Sequence, residues 1–113
     1  MNKTAPAALL ALALAAPAFA ASPMNFWNET SKEFTGVYLA PAGTTNWGKN
    51  QTLNDPDHAV SADERLKITD VRAGHYDVRL VDKKGVTCIV RGVEVKEAKV
   101  AFSVNEKQLT DCK

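Results

Sequence analysis

Sustained helical periodicity is missing from this chain. Nowhere do apolar residues recur every three or four positions over the length a surface helix needs, which argues against helical bundles and α/β layers. Histidine and cysteine are scarce, two of each in 113 residues. With no Cys-x-x-Cys pair and no second imidazole near His58, a zinc site built from nitrogen and sulfur ligands lacks its material. No Gly-x-Ser-x-Gly elbow, no Cys/His dyad with an orienting acid and no glycine-rich phosphate loop behind a strand occurs. Two carboxylates would serve a glycosidase in principle, but a domain of about ninety residues leaves little room for a sugar cleft. A non-enzymatic protein is expected. An excess of one charge is lacking too: taking Lys3 from the fourteen basic residues leaves thirteen, against thirteen acidic ones. A neutral domain with singly scattered basic residues has no electrostatic footprint for nucleic acid or anionic lipid.

The N-terminus carries a leader pattern. Lys3 forms a short basic region, residues 7–16 are an unbroken Ala/Leu run, and Ala18-Phe19-Ala20 presents small residues where signal peptidase reads. The run is too short to span a bilayer. Cleavage after Ala20 and export to the periplasm are expected, leaving residues 21–113 as one small domain. At that size a single core is only marginally sufficient. Cys88 and Cys112, the only thiols, read as a disulfide in an exported protein. Such a staple contributes about 3 kcal/mol in the chain-entropy picture.

What is abundant is β-pattern. Met24 to Asn28 alternates weakly and reads as an edge strand. Residues 33–40 put Val37 and Leu39 on one face and Phe34, Gly36 and Tyr38 on the other. Leu66 and Ile68, then Tyr76, Val78 and Leu80, alternate with polar residues. Residues 86–90, 93–95 and 100–104 continue the meander, with Gly92 a bulge. The fold class is all-β: a small antiparallel sandwich of about seven strands. The phrase from Ala73 to Leu80, followed by Asp82-Lys83-Lys84-Gly85, resembles a strand pair of immunoglobulin-like and transthyretin-like modules.

One stretch departs from this pattern, from Trp47 to Arg65. Asp55, Asp57, Asp63 and Glu64 fall within ten residues with no Lys or Arg among them. Like charges on a short connection repel unless water, a cation or Arg65 offsets them. Carboxylates are what a hard, highly charged cation prefers as ligands. The calcium EF-hand template does not fit. Counting from Asp55, Ala59 stands at the fifth ligand, Val60 where glycine is required, and Leu66 where the bidentate Glu belongs. A site of another design would take Asp55 and Asp57 from the outgoing limb and Asp63 and Glu64 from the return. Asn54 and His58 would serve as outer-sphere groups and Arg65 as counter-charge. Such a loop offers about four side chains to an ion that takes roughly six to eight oxygens; water, a small carboxylate or a second copy would fill the rest, and a metal-bridged homodimer is expected. Trp47 reads as packing the base of the loop.

Several words of the sequence carry a resemblance: residues 34–44, Trp47-Gly48, Asn50-Gln51, Leu53-Asn54-Asp55, Asp57, and Asp63-Glu64-Arg65-Leu66. They resemble a group of small exported bacterial proteins, mostly uncharacterised, and within it the landiscernin family, periplasmic lanthanide-binding proteins of methylotrophic bacteria, over nearly the whole mature chain. The resemblance implies lanthanide handling (La, Nd or similar ions) and exchange with another periplasmic binder such as lanmodulin. Spacing alone does not separate a lanthanide from calcium, the weaker alternative. Two other readings stand beside it. The acidic loop is a solvated connection with a turn at Asp55-Pro56, or the domain is an interaction module whose edge strand at Met24 to Asn28 pairs with a partner.

Overall fold

Period-two alternation builds six strands, β1 (Met24–Glu29), β2 (Phe34–Pro41), β3 (Arg65–Ile68), β4 (Gly74–Asp82), β5 (Thr87–Val95) and β6 (Val100–Asn105). The structure is a computed structural model that describes residues 23–113. The leader expected over residues 1–20 lies outside the described residues. Two three-stranded sheets, in the orders β3-β1-β6 and β2-β4-β5, pack as the expected all-β sandwich. Pairing is antiparallel except between β1 and β6, which run parallel. No helix among the described residues is long and apolar enough to cross a membrane.

The core lies between the sheets. Phe26, Leu66, Phe102 and Val104 from one layer meet Val37, Leu39, Val78, Leu80 and Val90 from the other. Phe26 and Phe102 stack across the parallel pair with ring centres 4.9 Å apart, which adds to the apolar area removed from water.

Three expectations are corrected. The strand at Met24 to Asn28 is not an edge: β1 sits between β3 and β6, with both sides paired. Its alternation looked weak because Asn28 occupies an inward position, where it is fully buried. That removes the strand on which the interaction-module reading relied. Phe34 joins Val37 and Leu39 in the core instead of sharing a face with Tyr38, because the register shifts between Phe34 and Gly36. The expected strands at 86–90 and 93–95 are one strand, β5, so the count is six. The expected bulge is present there: Gly92 has φ 65° and the β4/β5 register shifts between Tyr76 and Val78.

Residues 106–113 fold back on β5. Thr87 and Lys113 exchange backbone hydrogen bonds of 2.9 and 2.8 Å, and Ile89 N–H donates to the Asp111 carbonyl at 2.9 Å. The Cys88–Cys112 disulfide locks this tail in place.

Candidate functional site

The acid-bearing stretch belongs to the long connection from β2 to β3, which carries the chain from one sheet to the other. Its outgoing limb is fixed by Asn50. That side chain accepts from Val37 N–H at 3.0 Å and Thr52 N–H at 3.1 Å, and donates to the Thr35 carbonyl at 3.0 Å. Asn50 thereby caps a short 3-10 turn, Gln51–Asn54, along the free edge of β2. The buried Gln51 amide exchanges two 3.0 Å hydrogen bonds with the Thr69 backbone just past β3, so one turn ties both sheets.

The return limb is fixed by Asn28. Its amide nitrogen donates to the carbonyls of Lys32 (2.7 Å), Ser61 (3.0 Å) and Val60 (3.3 Å), and its oxygen accepts from the Thr30 N–H and hydroxyl. Its backbone also pairs with Asp63 N–H at 2.7 Å and the Glu64 carbonyl at 2.9 Å. Phe34 and Val60 add a two-bond bridge of 2.9 and 3.0 Å. In the sequence Asn28 is only the last residue of the weakly alternating Met24 to Asn28 strand. The usable signal was a polar residue at an inward position of a strand, which must find partners when buried.

Between these anchors the expected ligands are distributed as follows. Asp55 is half-buried, and its Oδ2 accepts from Asp57 N–H at 2.8 Å, which closes the expected turn at Pro56. Asp57 and His58 are exposed at its tip, His58 with φ 52°. On the return limb Asp63 has φ 64°, and its Oδ1 accepts from the Trp27 indole N–H at 3.0 Å. Glu64 Oε1 accepts from Ser61 N–H at 2.8 Å. Arg65 places its guanidinium carbon 4.6 Å from the centre of the Trp27 ring and forms no ion pair with the four acids. The Asn54 amide is directed to β3, donating to the Lys67 carbonyl at 2.8 Å while its oxygen accepts from Lys49 at 3.2 Å. Trp47 lies against Arg79, whose guanidinium carbon is 4.8 Å from the centre of its ring.

Ion pairs among the described residues engage Glu33, Asp70, Asp77, Asp82 and Asp111, and none engages Asp55, Asp57, Asp63 or Glu64. Hydrogen bonds occupy one oxygen each of Asp55, Asp63 and Glu64 and neither oxygen of Asp57. A carboxylate accepts about four such bonds, so every one of the four keeps an accepting oxygen. The acids do not converge within one chain, however: among the described residues no three His, Cys, Asp or Glu side chains are grouped to hold a metal ion. No family model, curated protein or solved structure matches the chain.

Proposed function

We propose that this is an exported, non-enzymatic carrier of a hard multivalent cation, a trivalent lanthanide in preference to calcium, which it takes up at residues 55–64. One observation carries the reading. Four carboxylates lie on an anchored connection, each with an oxygen to offer and none neutralised by a Lys or Arg. A trivalent ion gains more from such a charge density than calcium does, since the attraction scales with the ion's charge. The resemblance to periplasmic lanthanide binders supports the same ion, and with it a hand-over to a second periplasmic protein such as lanmodulin.

Because one chain does not gather three acids, the ion's shell is completed from outside: by water, by a small carboxylate, or by the same turn of a second copy. Asp55 and Asp57, on the outgoing turn, make the first contact. Asp63 and Glu64, oriented by Trp27 and Ser61, join the shell where a second copy brings its return limb to the ion.

Parallel calorimetric titrations with lanthanum, neodymium, calcium and zinc test this. Saturable heat for the lanthanides, weaker heat for calcium, and loss of both in Asp55→Asn/Asp57→Asn are expected. No lanthanide heat, or an unchanged affinity in the double variant, sinks the proposal. Trp27 supplies an optical readout, since its indole touches Asp63. Sedimentation with neodymium checks the two-copy shell separately: an unchanged monomer removes the dimer and leaves the ion.

A further inference from the structure

The outer face of the β2-β4-β5 sheet holds an arginine with aromatic neighbours and no anion. Arg79 and Tyr38 are cross-strand partners, and the guanidinium carbon lies 4.4 Å from the centre of the Tyr38 ring and 4.8 Å from that of Trp47. The local sequence builds this arrangement. Gly36 leaves space for the Tyr38 ring, since a Cβ there would stand 2.9 Å from Tyr38 Cε1. Gly48 N–H donates to the Leu39 carbonyl at 2.9 Å, which folds the connection over the β2 edge and brings Trp47 to Arg79.

The contrast with Arg91, on the adjoining strand, is informative. Arg91 reaches Asp77 at 3.8 Å and Asp111 at 3.3 Å. Arg79 has no ion pair and no side-chain hydrogen bond among the described residues, and its Nε is buried without an acceptor. Aromatic rings compensate the flat face of a guanidinium. Its N–H donors lie in the plane; Nε is closed off, and the Nη1/Nη2 end, whose atoms are not buried, is what a carboxylate grips with both oxygens. We propose that Arg79, flanked by Tyr38 and Trp47, is a binding site for a small carboxylate ligand. A dianion such as phosphate is a poorer match, because Arg91, which could supply a second positive charge, is already neutralised by two acids. The proposal is independent of the cation reading, as none of residues 55–64 takes part.

Titrating the full chain, disulfide formed and metal absent, with acetate, chloride and inorganic phosphate at matched ionic strength tests it. The signals to follow are the Arg79 guanidinium and Trp47 indole N–H resonances. A saturable acetate-specific shift of both is expected, weakened about tenfold or more in Arg79→Lys, which keeps the charge but loses the fork. Absence of a saturable shift with acetate overturns the proposal. So does an equal response to chloride, tighter binding of phosphate, or full retention in a folded Arg79→Lys. The wild-type titration decides even if that variant does not fold.

Discussion

Asp77 and Asp82 on β4 and the four acids of the β2 to β3 connection are the same chemistry put to opposite uses. Asp77 is held below the usual carboxylate range by the N–H groups of Gly92 and Gly43, each at 3.0 Å, which with Arg91 outweigh its burial. For Asp82 burial acts upward most strongly, yet the N–H groups of Val86 and Lys84 together with Lys32 bring it down. Both oxygens of each of these carboxylates are engaged, by the turns and the bulge they pin and by Arg91 or Lys32. On the connection, by contrast, the backbone is held by the amides of Asn28 and Asn50, and the carboxylates are left with oxygens to spare. Amides anchor, and acids remain available: that division of labour separates acids the fold uses from acids it leaves with free oxygens.

The comparison is broken most severely at its anchor. Asn28→Ala strands several buried backbone groups at once and is expected to cost roughly 4 kcal/mol, read as a drop in the denaturation midpoint, because each unmet group costs about 1–3 kcal/mol. A loss below about 1 kcal/mol would show that water replaces the amide and that the return limb does not depend on it. Next comes the staple. Reducing Cys88–Cys112, or replacing both by Ala, removes about 3 kcal/mol, and hydrogen exchange at Thr87 and Ile89 should rise as residues 111–113 detach. Unchanged exchange there would mean the backbone pairing holds the tail alone.

Acid then sharpens the contrast. Because Asp77 and Asp82 have lowered values in the folded state, the unfolded chain takes up protons first as pH falls. Their stabilisation is complete above the unfolded value of about 4 and is lost as pH drops through the lower folded values. Denaturation midpoints should be flat from about pH 7 to 5 and fall below about 4, and less steeply in Asp77→Asn. An identical slope in that variant would remove Asp77 from the explanation.

How much of this was legible in the sequence follows from which interactions are local. The Gly92 bulge, the alternation of β4 and the Cys88–Cys112 pairing are written in short stretches or forced by a count of two thiols. The central place of β1 is not, because its neighbours β3 and β6 come from residues 65–68 and 100–105 and leave no mark on Met24 to Asn28. Clustering along the chain also misstated proximity. The backbone takes positive φ at His58 and Asp63, and Trp27 and Ser61 claim oxygens of Asp63 and Glu64. Ten residues dense in acid therefore do not give one convergent site. Arg65 went to an aromatic face, a partner that a charge tally does not consider.

The smallest expected effect bears most directly on function. Asp57 receives no hydrogen bond on its carboxylate and lies exposed at the tip of the turn, so Asp57→Asn should shift stability by no more than about 0.5 kcal/mol. In Asp55→Asn the new carbonyl oxygen accepts the same Asp57 N–H, and a similarly small shift is expected. Lanthanide affinity should nevertheless fall about tenfold or more in each variant, because a neutral amide oxygen is a far weaker ligand for a trivalent ion. A variant that loses stability and ion binding together would place Asp55 and Asp57 with Asp77 and Asp82, as acids that serve the fold. Only a change confined to the ion separates the two regions in the way the hydrogen bonding implies.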